Sequence, residues 1–557
     1  MKKLAIIIAT ILLSLHVSAQ LPKHEIRAVW LTTIGGIDWP HSYNASQQKE
    51  ELIRTLDELK AAGVNTVLLQ TRVRGTTIYP SALEPWDGCM SGHPGKSPGY
   101  DPLQLCIDEC HRRGMELHAW VVTIPVGKWN NLGCKQLRQK YPKLIRKIGD
   151  DGYMIPEQAE TANYLARFCR EIASRYDVDG IHLDYIRYPE TWPKARKRGE
   201  GAERRANITR IVRAIYQAVK QEKRWVKLSC SPIGKYDDLL RYRSGGWNAR
   251  TAMSQDVQQW LREGIMDQIY PMMYFRANQF FPFAIDWQEH AYGRSVAAGL
   301  GIYFLDPREG RWQLDDITRQ MYVVRQLGLG HCYFRSKFFT DNVKGILRFA
   351  REFDAQPALV PPMTWEGKEA PTSPTLLRLH SGRLPRLQEG LGEVILTWTE
   401  ARNTNDSPYL LYNVYASDSY PVDVTRAENI VAVRLRGSSI VVPEYPRRYY
   451  AVTACDRYGQ ESKPCQMKAP DDLTFWQTDD IQQTDGKLLR LPTKPSTLDA
   501  DYLIVETLQG QQLVFLPYTG KYVSIAHLPD GIYAMRSLGK KGRNHRLAYF
   551  SIRRQKK

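Results

Sequence analysis

Asp179-Gly180-Ile181-His182-Leu183-Asp184-Tyr185-Ile186-Arg187-Tyr188-Pro189 reads as a short buried strand that ends in a carboxylate. Side chains of a strand alternate between its two faces. Ile181 and Leu183 therefore point toward a covering helix, and His182 and Asp184 point the other way. A polar face ending in an acid is costly inside a packed core unless the strand end opens into a site. In a (β/α)8 barrel the carboxyl ends of the strands form the active-site mouth. The plainer reading makes Asp184 a cap for the segment that follows it.

Working outward from this stretch, strand-like apolar runs recur at 26–31, 64–70, 115–122, 178–184, 226–231, 266–274, 296–303 and 330–334. Between them lie segments such as 47–60, 102–113, 161–176 and 317–327, with apolar residues at three- and four-residue spacing. Gly63, Gly114 and Gly328 sit just before the next run, a helix C-terminal signal. Eight alternations imply an α/β fold, a closed (β/α)8 TIM barrel over residues 20–355 rather than an open sheet. A Pro-rich linker, 356–374, follows. Beyond it, short alternating strands predict two small all-β sandwich-like domains, 375–468 and 469–557.

A chain of 557 residues exceeds one core, and its 43% hydrophobic content suits a globular protein. Lys2, Lys3, an apolar run over 4–15 and Val17-Ser18-Ala19 read as a signal peptide, residues 1–19. That run is shorter than the roughly 20 residues that cross a bilayer, and no Cys follows the small residues. The expectation is an exported protein, periplasmic, cell-surface or secreted, with no membrane span. The net charge of +18 loses only two lysines with the leader. A strongly basic chain favours anionic surroundings such as cell-wall or surface glycans. The basic clusters at 194–198 and 553–557 read as solvated, and no nucleic-acid motif accompanies them.

The nine cysteines show no metal-site spacing, so neither metal nor cofactor is expected. Cys106 and Cys110 stand one helical turn apart, as core residues do. Cys455 and Cys465 flank a predicted hairpin turn, and a bridge between them is left open.

At the expected mouth, Gln70, Arg72 and Arg74 follow the second strand, and His118 and Trp120 share one face of the third. Gln268, Tyr270, Met272 and Tyr274 share a face of the sixth. Trp39, Trp86, Trp129, Trp192, Trp247 and Trp287 fall in or near post-strand loops. An aromatic ring can stack on the apolar C–H face of a sugar, so this concentration points to a glycan groove. The mouth arginines serve either to hold an anionic group or to pair with Asp184.

Several motifs recur in one order: Arg27-Ala28-Val29-Trp30, Asp38-Trp39-Pro40, Gln70-x-Arg72, Tyr79-Pro80-Ser81, Tyr100-Asp101-Pro102-Leu103, His118-Ala119-Trp120, the Asp179–Asp184 stretch, Ser231-Pro232-x-Gly234, Asp256-x-x-x-Trp260 and Pro271-x-x-Tyr274. With them the barrel resembles the glycosyl-hydrolase-like family 10 domain, a secreted bacterial group. The resemblance implies a (β/α)8 barrel that hydrolyses glycosidic bonds, some relatives acting on peptidoglycan strands stripped of peptides. It departs from the family at Asp184-Tyr185, where many members carry paired acids, and at Ile155-Pro156-Glu157-Gln158. The strands around Leu396-Thr397-Trp398 and Tyr412-Asn413-Val414-Tyr415, with the ending Tyr450-Ala451-Val452-Thr453-Ala454-x-Asp456-x-Tyr458-Gly459-x-Glu461-Ser462, resemble a fibronectin type III module. The last segment is similar to the small sorting-type sandwiches of Bacteroidota secreted proteins.

Glycosidases commonly use two carboxyl groups. Asp184 is the candidate catalytic residue, as nucleophile or charge stabiliser, with Arg187 and His182 tuning it. Gln70, Arg72, His118, Trp120, His182, Arg187, Tyr270 and Tyr274 are the candidate substrate-binding residues. Asp237, Asp238, Asp256 and Asp306 are the candidates for the second acid. Ile186 stands where family 18 chitinases place a proton-donating Glu, which disfavours that mechanism. Two functions follow: an exported hydrolase of cell-wall or surface polysaccharide, or a non-catalytic glycan-binding barrel with accessory β modules.

Overall fold

The computed structural model describes residues 21–193, 195, 199–242, 244–381, 393–443, 449–466, 481–484, 488–490, 502–507, 512–517, 522–525, 528–538 and 544–552. The chain divides after Gly367 into two compact units.

In the first unit eight parallel strands close a barrel: β1 (Arg27–Leu31), β2 (Thr66–Arg72), β3 (Glu116–Val122), β4 (Gly180–Asp184), β5 (Lys227–Cys230), β6 (Gln268–Ile269), β7 (Ser295–Leu300) and β8 (Gly330–Tyr333). Neighbours in sequence are neighbours in the barrel, and β8 pairs with β1 to close it. The strand-following helices are α1 (Ala45–Ala61), α2 (Pro102–Arg112), α3 (Ala159–Arg175), α4 (Glu200–Glu222), α5 (Val257–Arg262), α6 (Phe281–Glu289), α7 (Leu314–Gln326) and α8 (Ile346–Phe353). Asn44 caps α1 through Ser46 and Gln47, and Asp101 caps α2 through Leu103 and Gln104. Gly63, Gly114 and Gly328 hold φ of 80°, 68° and 69°, the left-handed conformation that ends these helices.

Each of the eight runs read from the sequence overlaps one strand, with bounds that differ by one to three residues except at the sixth. The run at 266–274 contracts to Gln268–Ile269 because Pro271 has no N–H to continue a ladder. Beyond it, Met272 is held by single bridges to Ile233 and Gly299.

Ile181 and Leu183 lie in the main hydrophobic core with residues of α3 and α4, whereas Trp120 and Tyr270 belong to a separate cluster inside the barrel. Each apolar side chain taken fully from water stabilises by about 1.5–3 kcal/mol. Gly180 is required by a close approach: a Cβ there would lie 2.5 Å from Nδ1 of His118, its register partner on β3. Between β3 and α3 an insertion carries the short strands Pro125–Lys128, Ile145–Ile148 and Asp151–Met154 and the helix Leu132–Lys140.

In the second unit, a three-stranded sheet of Thr375–Ser381, Glu393–Thr399 and Ser439–Pro443 accompanies a four-stranded sheet of Ile430–Leu435, Leu411–Ser417, Tyr449–Cys455 and Cys465–Gln466. Leu396, Trp398 and Ile440 of the first share one core with Tyr412, Val414, Tyr450 and Val452 of the second. The last segment forms a five-stranded and a two-stranded sheet with a core around Leu503, Val505, Tyr533 and Phe550.

All nine cysteines are free thiols. Cys106 and Cys110 are buried in the core, as their spacing implied. The bridge left open between Cys455 and Cys465 is not made: Cys455 stands opposite Leu411 and Cys465 opposite Val452, three residues along the same strand. Among the described residues no helix is long and apolar enough to cross a membrane. The expected signal peptide at 1–19 and the basic end at 553–557 lie outside the described residues, as does all of the 194–198 cluster except Ala195.

Candidate active site

Asp184 is the last residue of β4 and lies at the carboxyl rim of the barrel, 7% exposed. Its Oδ1 accepts from the backbone N–H of Tyr185 at 2.7 Å and from the Ser231 hydroxyl at 3.1 Å. Its Oδ2 accepts from the Trp120 indole N–H at 3.2 Å. Tyr185, at φ 51°, turns the chain so that its own N–H reaches back to the carboxylate. Burial pushes the Asp184 carboxyl above its ordinary range, while the Arg187 guanidinium and the three donors pull it back toward ionisation.

Arg187 is buried, with its guanidinium over the Tyr185 ring (4.4 Å to the centroid) and the Trp247 ring (5.6 Å). One terminal nitrogen donates to Glu190 Oε1 at 2.5 Å and lies 3.2 Å from Met253 Sδ. Among the described residues its buried Nε meets no acceptor, and the Tyr274 hydroxyl is likewise without a partner. Tyr274 feels the charge of Asp184 and packs against Tyr303 and Phe334.

Other residues expected at the mouth lie elsewhere. His118 and His182 are wholly enclosed inside the barrel. Nε2 of His118 lies 3.2 Å from Glu116, which also pairs with Lys227 at 2.7 Å. The Trp30 indole donates to Nε2 of His182 at 3.2 Å, so Nδ1 carries the proton and donates to Ser229 at 3.0 Å. Burial, and then His118, hold His182 well below its usual pKa, so it is neutral and spans two partners rather than tuning Asp184 as an acid. Tyr270 is also enclosed and donates to Gln268 at 3.0 Å. These three side chains fill the barrel interior beneath the rim.

Arg72 is a further correction. Strand alternation places it on the inward face with Gln70, but the β2–β3 register shifts between these two residues. The bulge turns Arg72 outward, where Nε and a terminal nitrogen meet Glu84 at 2.9 and 2.6 Å. Tyr164 of α3 donates to the same carboxylate at 2.9 Å. Arg72 is therefore paired with Glu84 rather than with Asp184. Gln70 accepts from the N–H groups of Thr33 and Ile34 at 3.0 and 2.8 Å, anchoring the loop after β1. Of the substrate-binding candidates, the rim brings Trp120, Arg187 and Tyr274 together around Asp184.

The tryptophans divide similarly. Trp39, Trp192 and Trp287 are buried, Trp86 and Trp129 are half-buried, and Trp247 is 43% exposed beside Arg187. The partly exposed aromatic surface comes from Tyr274, Tyr303, Phe304 and Phe334, which pack edge-on or tilted after β6, β7 and β8. Of this wall the sequence analysis named Tyr274 and missed Tyr303, Phe304 and Phe334. The signal was an aromatic residue one to five residues after each of three successive strands.

The four acids proposed as partners are engaged with other residues. Asp237 pairs with Arg250 at 2.8 Å, and Asp238 is exposed beside Ser244. Asp256 is the N-cap residue of α5 and takes the Tyr236 hydroxyl at 2.5 Å and Arg205 at 3.5 Å. Arg308 holds Asp306 down at about 2, in the charged form.

The fold and the rim carboxylate define a (β/α)8-barrel protein with its candidate site at the carboxyl ends of the strands. The family model described as glycosyl hydrolase-like 10 matches residues 25–298. Glycosyl hydrolase DigH of Escherichia coli (strain K12) is 31% identical over 296 residues, 46% of this chain and 67% of that protein. Glycosyl hydrolase YngK of Bacillus subtilis (strain 168) is 28% identical over 504 residues, 82% of this chain and 96% of that protein. Among solved structures, the PgaB (BpsB) glycoside hydrolase domain from Bordetella bronchiseptica aligns with a TM-score of 0.44 at 14% identity, over 61% of this chain and 100% of that one. The chain belongs to the glycosyl hydrolase-like 10 family.

Proposed function

We propose that this protein is an exported glycoside hydrolase that cleaves glycosidic bonds in a cell-wall or surface polysaccharide, the glycan strands of peptidoglycan being the first candidate. Asp184 serves as nucleophile or charge stabiliser. The observation that carries this reading is the Asp184 carboxylate at the carboxyl rim of the barrel, held by three donors and by the charge of a buried arginine. Fixed donors keep an anion aimed at the carbon where positive charge develops, without reorganisation during the reaction. The Arg187 Nε and the Tyr274 hydroxyl are buried donors that have no acceptor among the described residues. The aromatic wall offers ring faces and edges to the sugar.

The fibronectin type III-like and C-terminal β modules are read as accessory units. The three- and four-stranded sheets with a shared core support the first of these assignments.

The purified protein should release reducing ends from peptidoglycan glycan strands stripped of peptides. Asp184→Asn should abolish release while the strands are still retained. Retention without release by the wild-type protein across a broad glycan panel would replace this reading with a glycan-binding barrel.

A further inference from the structure

We infer that the insertion between β3 and α3, joined to the mouth by Arg74, holds the carboxylates of an acidic glycan strand whose scissile bond lies at Asp184. This surface rests on the hydrolytic reading above and adds the charge of the substrate to it.

The insertion is rooted beside the candidate carboxylate. Thr123, directly after β3, donates to the Asp184 carbonyl oxygen through its N–H at 2.9 Å and its hydroxyl at 2.8 Å. The chain then enters the short strand Pro125–Lys128. There Gly127 lies against Arg74: a Cβ on the glycine would come within 3.2 Å of the Arg74 carbonyl oxygen. Arg74 is exposed and also acts on the mouth. Burial, then Asp184, raise the Tyr185 phenol, and the charges of Arg187 and Arg74 pull it down. Positive charge therefore continues from beside Asp184 onto the insertion.

Residues 125–154 carry seven lysines and arginines against two acids. Asp151 pairs with Lys128 at 3.1 Å, and Asp150 lies in the turn before it. Among the described residues Arg74, Lys135, Lys143, Arg146 and Lys147 have no acid partner, and all five are exposed. Aromatic rings are interleaved with these cations. Arg138 stands 4.0 Å and Lys147 5.9 Å from the ring centroid of the half-buried Trp129, and Arg146 stands 5.1 Å from that of Trp192. Unpaired like charges repel one another, so an anionic occupant relieves this surface. The rings and the basic side-chain stems offer apolar area to sugar C–H groups. Removing a peptide from its amide link to a glycan leaves a free carboxylate at that point. A strand stripped of peptides is therefore a regular polyanion, and the insertion is its electrostatic complement.

The test measures binding of the full chain to peptidoglycan strands stripped of peptides, and to the same strands with their carboxylates reduced to alcohols. Wild type should bind the reduced strands about tenfold more weakly, the scale of two or three exposed ion pairs. That difference should shrink as salt rises. The double variant Arg146→Glu/Lys147→Glu should lose about tenfold on the stripped strands. It should bind the reduced strands as wild type does, which also shows that it is folded. Equal affinity of wild type for the two kinds of strand would overturn the inference. So would a double variant with wild-type affinity for the stripped strands, or duplex DNA bound as tightly as they are. Release of reducing ends from both strands with equal binding overturns only the acidic substrate and leaves the hydrolytic reading. A preference for the stripped strands without any release supports the surface and overturns the hydrolytic reading itself.

Discussion

Three donors on one carboxylate set what Asp184 does as the pH changes. Burial raises its pKa, so the proposed role, which needs the ionised form, gains activity as pH climbs through that raised value. The acidic limb of kcat/KM is therefore expected above the usual aspartate value of about 3.9. Ser231→Ala and Trp120→Phe each remove a hydrogen bond to the charged form and should move the limb up by about one pH unit, ~1.4 kcal/mol. A limb that stays in place in both variants would assign the titration to another group. The folded chain also holds this proton to higher pH than the unfolded chain. Its contribution to stability therefore falls as pH rises between the two pKa values. The sequence placed Asp184 at a strand end, but the donor set was hidden in it, because Trp120 and Ser231 come from β3 and the end of β5.

The second strand shows how an element misleads when its ladder slips by one residue. Alternation through Leu68 and Gln70 puts Arg72 at the mouth, and a bulge puts it behind the strand against α3. There the Arg72–Glu84 pair has no solvent exposure at all. Breaking one partner of a buried pair leaves the other charge uncompensated, at about 3–5 kcal/mol. Glu84→Gln should lower the unfolding free energy by that amount in urea titrations. A change below ~1 kcal/mol would mean that water reaches the guanidinium. At the start of α2, Asp101→Ala should cost about 1 kcal/mol through the lost cap. The helices were legible because capping residues, apolar spacing and terminal glycines are local signals. The bulge was not, since it depends on how β2 meets β3.

Two compact units, each with its own core, should unfold separately. Calorimetry of the full chain is expected to give two transitions. A chain ending at Gly367 should keep the barrel transition and the turnover of glycan strands. One merged transition lost on truncation would show that the units are thermodynamically coupled. The net charge of +18 adds a second expectation for the whole molecule. Retention on anionic glycan should weaken between low and physiological salt as the screening length shortens to about 8 Å.

The sequence by itself determined the eight alternations of strand and helix, the inward face of β4 and the carboxylate at its end. Each of these depends on periods of 2 and 3.6 residues and on cap chemistry, which neighbouring residues decide. Only the tertiary structure decided depth. His118, His182 and Tyr270 share the inward parity of Asp184 yet fill the interior below it, and Trp39 and Trp192 turn from loops, and Trp287 from α6, into the core. Parity along a strand fixes which face a side chain takes. Its height in the barrel and its partners depend on how eight strands stagger against one another when the sheet closes.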